Sequence, residues 1–434
     1  MAGGRLTPEG YLPRVVDEQV ERYLGTFGAV EIAGTKWCGK TWTALSHGAS
    51  VSYVDDDLDL ARADPSLMTL GEMPHVIDEW QLAPRVWDAV RRGVDRSRGL
   101  RGGWILTGSS TPLARRGGEA PAHSGAGRIG RIRMHPMTLA ESGDSTGEVS
   151  LAGLFRGEFA PCAAPGGTRE LVELACRGGW PEAVGMDVAR AQTVAREYLR
   201  LFLTESAPAA GRDGEVTGRL VASLARNLGQ AATYRTVIAD MYGGEDDPAS
   251  LISDDTLASY LSFLKASYLV EEVPGWVPQA RSRKRLATKP RRYLADPSLA
   301  AAQLGMGPDA LLGDWQTFGL LFEAMCVRDL TVFARALPDI GFEPVRYYRD
   351  DSGLEADAVV ELADGRWAAF EFKVSEDKVA AGVSSLLRLR RKLCENPRAR
   401  VREPEFMAVV TGVSRYARRT GEGVYVVPLR CLGA

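Results

Sequence analysis

A multidomain α/β chain is what the 434 residues predict, on three observations. Short apolar runs alternate with amphipathic stretches up to about residue 145, the pattern of a parallel sheet wrapped by helices. Helical periodicity then dominates as far as about residue 310. Beyond it, one long amphipathic stretch precedes two apolar runs joined at a glycine turn, as in a smaller α/β domain. The expected domains are therefore 1–145, 146–214, 215–310 and 311–434.

Composition narrows the class. With 45% hydrophobic and 25% charged residues the chain is ordinary for a globular protein. A net charge of -3 argues against wholesale coating of a polyanion, although a local basic patch can still bind one. No apolar run reaches the ~18 residues that span a bilayer, and "MAGGRLTPEGYLPRVVDEQ" lacks the apolar core of a signal peptide, so a cytoplasmic protein without membrane contact is expected. The six cysteines form no Cys-x-x-Cys pair, which indicates neither a zinc site nor a disulfide framework. Only eight of the 53 basic residues are lysines, Lys40 and Lys373 among them. A lysine here marks a place where a compact ammonium is wanted.

The elements can be taken in order. Val15 to Leu24 has helical spacing, and "GAVEIAG" reads as a buried strand. "GTKWCGKT" follows, comprising Gly34, Thr35, Lys36, Trp37, Cys38, Gly39, Lys40 and Thr41, and fits G-x-x-x-x-G-K-[ST] between a strand and the helical "TWTALSHG". The chemistry needs that context. Glycines let backbone amides curl around phosphate, the helix offers its positive end, Lys40 reaches the β and γ phosphates, and Thr41 gives a hydroxyl to magnesium. ATP and Mg2+ are thus the expected cofactors. Cys38, beside those amides, is expected to ionise readily and to be protected from alkylation by ATP.

About forty residues on, the strand "HVIDEW" delivers Asp78 to hold magnesium and Glu79 to polarise the attacking water. "GWILTGSS" ends in Thr107, Ser109 and Ser110, which either sense the γ phosphate or are plain turn residues. "SVSYVDDD" and the arginine-rich "GRIGRIRMHPMTLAE" supply two more strands.

The set "GTKWCGKT", "VIDEWQLAP", "ILTGSS" and "GRIGRIRMHPMTLAE" resembles bacterial AAA-type P-loop ATPases of the group with a C-terminal domain of unknown function. That resemblance implies Glu79 as the catalytic glutamate. It also implies an arginine contributed by a neighbouring subunit, hence a homo-oligomer, with Arg128 and Arg131 as candidates; a structural salt bridge is the alternative role for each.

"GGTRELVELACRGGWPEAV" and "VAREYLRLFLTES" read as a helical lid or linker. The helical stretches "GRLVASLARNLG", "YRTVIADMYG" and "DDTLASYLSFLKASYLVEEV", followed by a segment with seven basic residues between Arg281 and Arg292, suggest a winged helix. Two roles fit it: contact with DNA or another nucleic acid, or an interdomain or protein contact.

"TFGLLFEAMCVRDLTVFARAL" is an amphipathic helix that sets Glu323 among apolar residues. "GLEADAVVELADGRWAAFEFKV" reads as two strands, and side-chain alternation selects the loop between them. A three-residue loop, Ala363 to Gly365, pairs Ala358 with Phe370 and Val360 with Ala368, placing Asp357 opposite Glu371 with Lys373 on the same face. Two carboxylates beside an ammonium suit a divalent metal, so Asp357 and Glu371 are expected ligands, and catalysis at phosphate is expected of Asp357, Glu371 and Lys373. This arrangement resembles the PD-(D/E)XK nuclease superfamily, implying a restriction-endonuclease-like fold with Glu323 as a further catalytic residue, although Ala356 stands where the motif has proline. The alternative is an inactive nuclease-like domain whose polar face is a relic or a DNA-holding surface.

Overall fold

The computed structural model describes residues 4–111, 120–243, 252–278, 282, 288–395 and 401–434. The chain folds as two compact units, Met1–Pro136 with Leu261–Leu269, and Met137–Tyr260 with Val270–Ala434. Of the basic segment, Arg281, Arg283, Lys284 and Arg285 lie outside the described residues.

In the first unit, β1 (Ala29–Gly34), β2 (Ser50–Tyr53), β3 (His75–Asp78), β4 (Trp104–Gly108) and β5 (Ile129–Met134) form a sheet in the order β2-β3-β4-β1-β5. Every pairing is parallel. A parallel sheet must be covered on both faces, which is why β1 is buried at all six positions. Ala29, Ile77 and Leu106 pack with Trp80, Trp87 and Val90 on one face. Val30, Ile32, Val76 and Ile105 pack with Val20, Leu24 and Ala44 on the other. The period of two along β1 thus divides its neighbours between the faces.

In the second unit the short strand β6 (Val149–Ser150) precedes a run of helices, Thr168–Arg177, Val188–Leu201, Gly214–Arg226 and Tyr234–Met241. Asp187, Asp213 and Thr233 cap three of them by accepting from the amides of Arg190, Val216 and Thr236. The helix Asp254–Ala266 stops before the expected end at "VEEV". Tyr268 takes a positive φ of 58°, and Val270–Val273 becomes β7, paired antiparallel with β8 (Arg291–Leu294). Val270 and Val273 are both buried, and pairing with β8, supported by the β-branched valines, makes the segment a strand instead of another helical turn.

The helix Trp315–Ala336, capped by Asp314, precedes a six-stranded sheet. Its strands are β9 (Arg346–Arg349), β10 (Glu355–Glu361), β11 (Trp367–Lys373), β12 (Phe406–Thr411), β13 (Arg418–Arg419) and β14 (Tyr425–Pro428), in the order β13-β14-β12-β11-β10-β9. A last strand, β15 (Leu432–Gly433), pairs with β6. The helix Val379–Cys394 buries Val383, Leu386 and Leu389 against Ala369, Met407 and Val409 of that sheet. Between β10 and β11, Leu362 N–H donates to Arg366 O at 2.8 Å, Gly365 N–H donates to Leu362 O at 2.9 Å, and Gly365 has φ 82°. The loop is therefore Ala363–Gly365, and Ala358 pairs with Phe370 and Val360 with Ala368, the expected register. Among the described residues, no helix is long and apolar enough to cross a membrane.

One contact pins the helix that follows the glycine-rich stretch Gly34–Thr41. His47 Nδ1 lies 2.7 Å from Glu21 Oε1 and Nε2 lies 3.2 Å from Asp17 Oδ1, tying Lys40–His47 to the helix Val16–Leu24. Burial disfavours the imidazolium, but the bonds and charges of Asp17 and Glu21 outweigh it and raise the His47 pKa above its ordinary value. A raised folded-state pKa gives stability that is full below the unfolded value of ~6.5 and is lost as pH rises through the folded one. The unfolding midpoint of His47→Gln should thus lie furthest below that of the parent near pH 6, with the gap closing toward pH 9. An equal gap at both ends would remove the imidazolium from this contact.

Candidate functional site

The carboxyl ends of β1, β3 and β4 converge at one edge of the parallel sheet, where α/β folds place their ligands. From β1 the chain enters the loop Gly34–Thr41. Gly34 has no room for a side chain, since a Cβ would stand 2.4 Å from Met134 O. Gly39 turns the chain into the helix with φ 99°, a left-handed conformation that glycine adopts without penalty. Trp37 also has a positive φ, 62°. Lys40 is buried, and its Nζ donates to Thr35 O at 2.9 Å, closing the loop upon itself.

Thr41 Oγ1 donates to Asp78 Oδ1 at 2.9 Å, and Thr107 bonds the same oxygen. Burial pushes the Asp78 carboxyl above its ordinary value, opposed by bonds from Thr107 and Thr41 and reinforced by the Glu79 charge. A hydroxyl and a carboxylate this close, with the carboxylate desolvated, are the hard oxygen donors that magnesium takes. The residues fit that ion, and the loop fits a triphosphate.

Glu79 sits at φ 55°, ψ 40°, a left-handed position for a non-glycine residue. Its N–H donates to Thr107 Oγ1 at 3.2 Å, and its carboxylate accepts from Ser109 Oγ at 3.0 Å and from Gln81. Gln81 also donates to Ser109 at 3.2 Å. Thus Ser109, expected near phosphate, is placed on the glutamate.

Two features were missed from the sequence. Arg14 is buried and donates to Cys38 O at 2.8 Å and His135 O at 2.9 Å, fixing the loop from behind. Gln81 holds Glu79; its only signal was proximity to the acidic pair.

One expectation changes, and both arginines take the salt-bridge role left open for them. Cys38 is fully buried, with its sulfur 3.1 Å from where a Gly34 Cβ would be, so it is closed to the alkylation expected of it. Arg128 lies at the amino end of β5, opposite the strand ends that bear the loop, and pairs with Asp95 at 2.8 Å; within one chain it does not reach the nucleotide site. Arg131 pairs with Glu31, a fully buried carboxylate that also accepts from Trp80 Nε1 at 3.0 Å. Both arginines are thus engaged in salt bridges within the chain.

The second unit gathers the other expected residues. Asp357 Oδ2 accepts from Phe372 N–H at 2.8 Å and lies 3.7 Å from Lys373 Nζ, which pairs with Glu371. Ser385 Oγ donates to Glu371 Oε1 at 2.9 Å. Glu323 accepts from Tyr293 Oη at 2.7 Å. A bulge in the pairing of β10 with β9, between Ala356 and Val359, breaks the regular alternation next to Asp357. Gly229 passes so close that a Cβ would stand 3.0 Å from Glu323 Oε1. Burial, with the charge of Asp357, pushes Glu323 and Glu371 each up to about 7, against the lowering effect of nearby cations and hydrogen bonds.

Sequence reading missed the central member, Arg291. Its guanidinium is 3.2 Å from Glu323, 2.8 Å from Glu355 and 3.6 Å from Asp357. Arg292 turns instead to Glu272 at 3.0 Å. These two arginines of the basic segment are buried and paired inward rather than offered to DNA. The expected metal pair, Asp357 and Glu371, does not fit a divalent ion as the side chains stand. Among the described residues no group of three His, Cys, Asp or Glu side chains could hold a metal, and two protein cations already share these carboxylates.

Comparison with known proteins agrees with the first unit. Residues 26–142 match the family model of the AAA domain. The first unit carries a P-loop domain of ATPase type. Residues 168–310 and 318–432 match two domains of unknown function, DUF8612 and DUF4143. No curated protein matches the chain. Among solved structures, the chain is similar to the Walker-type ATPase PABY2304 of Pyrococcus abyssi at 13% identity, over 70% of this chain and 99% of that one, with a TM-score of 0.42. It is also similar to replication initiator DnaA bound to AMPPCP and single-stranded DNA (13%; 61% and 93%; TM-score 0.28) and to the Aeropyrum pernix ORC1 protein in complex with DNA (14%; 71% and 97%; TM-score 0.23).

Proposed function

We propose that the chain is a magnesium-dependent ATPase whose second unit, nuclease-like in its polar centre, grips nucleic acid without cutting it. The observation that carries the ATPase reading is the joining of Thr41, Asp78, Thr107 and Glu79 by hydrogen bonds beside a buried Lys40. Lys40 leaves Thr35 O to meet the β and γ phosphates. Thr41 and Asp78 hold magnesium, which when bound neutralises phosphate charge. Glu79 takes the proton of the attacking water, and Ser109 and Gln81 set where that carboxylate points.

Gripping is supported by the helix Val379–Cys394. Arg388 and Arg391, one turn apart, line adjoining grooves of about 430 and 660 Å³ and have no carboxylate partner among the described residues. Arg418 lines the larger groove as well. Unpaired guanidinium groups on one helix are suited to phosphates. A second reading, an ATP-driven switch acting on protein partners, is favoured by the poor fit of the carboxylate centre to metal.

Lys40→Ala should lose ATP binding, whereas Glu79→Gln should keep it and slow turnover by ~10²–10⁴, the share of a general base. Titration with a fluorescent ATP analogue and steady-state phosphate release measure the two effects. Equal affinity in parent and Lys40→Ala would remove the loop from the mechanism.

Duplex DNA binding should weaken with salt, and the double replacement of Arg388 and Arg391 by alanine should flatten the slope of log K against log salt by roughly two units. Fluorescence anisotropy at several salt concentrations reads it. An unchanged slope, together with turnover that neither DNA nor RNA stimulates, would favour the protein-partner reading.

A further inference from the structure

We infer that Arg291 is the built-in cation of the second unit's carboxylate centre and that it excludes a divalent ion, leaving a metal site latent behind one side chain. The centre brings together Glu323, Glu355, Asp357 and Glu371. Lys373 serves Glu371 and Asp357 on one side. Glu323 and Glu355 are beyond that pair, and Arg291 alone reaches both of them and Asp357.

A guanidinium suits this task and an ammonium does not. It has five donors in one rigid plane, so a single charge can satisfy carboxylates lying in different directions. The plane is also held in place. Arg291 begins β8 opposite Val273, and its guanidinium lies over the Tyr347 ring, 4.7 Å from the centroid. Strand pairing fixes the backbone and the ring backs the charge, so the cation is placed by rigid elements. Arg291 is 7% exposed and Glu371 5%, so neither charge can rely on solvent.

Removal of the guanidinium leaves carboxylate oxygens from two elements, the helix Trp315–Ala336 and β10, around the space it filled. Asp357 keeps Lys373 at 3.7 Å and Glu355 keeps Arg349 at 3.1 Å, but Glu323 is left with no ion pair among the described residues. Buried carboxylates deprived of a counter-ion either take up protons or bind another cation. Hard oxygen donors from Glu323, Glu355 and Asp357 suit manganese or magnesium. The inference concerns this centre alone and stands whether or not the second unit binds nucleic acid.

Manganese uptake without nucleotide tests it, measured as free Mn2+ by electron paramagnetic resonance on full-length protein. All proteins carry Asp78→Asn to silence the first unit. In that background uptake should be the same with and without Asp357→Asn. Arg291→Met should gain about one Mn2+ per chain, at least tenfold tighter than any uptake by the background protein, and the added Asp357→Asn should abolish the gain. Circular dichroism establishes that Arg291→Met is folded. Mn2+ uptake by the Arg291 protein that Asp357→Asn removes would overturn the inference, as would a folded Arg291→Met that gains none. Should Arg291→Met fail to fold, the comparison with and without Asp357→Asn decides alone.

Discussion

The candidate site of the first unit depends on one constraint, the parallel alignment of β1, β3 and β4. Parallel strands end on the same side, so residues far apart in the chain arrive together: Lys40 and Thr41 after β1, Asp78 and Glu79 at β3, Thr107 and Ser109 at β4. An antiparallel β4 would send Thr107 and Ser109 to the far edge. The large apolar side chains on both faces hold this alignment, which makes the packing of Trp80, Trp87 and Ile105 part of the site's geometry.

The second unit solves a different problem, the concentration of negative charge in a poorly solvated place. Like-charged neighbours and burial raise proton affinity, as Glu323 and Glu371 show. Lys373 and Arg291 limit that cost from opposite sides. The two units therefore treat acidic groups in opposite ways. Asp78 is met by two hydroxyls, whereas Asp357 is given cations.

Much of this was legible in the sequence because it is local or periodic. The phosphate loop is contiguous, and the register of β10 with β11 follows from alternation across one short turn. What escaped depends on distance and side-chain direction. Arg291 lies 32 residues from Glu323 and 64 from Glu355, inside a basic run that reads as part of a winged helix turned toward a partner. Cys38 sits in a motif that specifies where amides point but not where its thiol goes. The end of the helix at Ala266 was hidden because "SYLVEEV" suits either structure until its partner strand is known.

The turn Ala363–Gly365 carries an evolutionary implication. Since a strand repeats every two residues, this turn works as a reading frame for the polar centre: gaining or losing one residue moves Asp357 across the sheet from Glu371 without altering either amino acid. Relatives could therefore retain every acidic letter and yet lose the assembly. The length of this turn thus constrains the centre as much as the identity of its acidic residues.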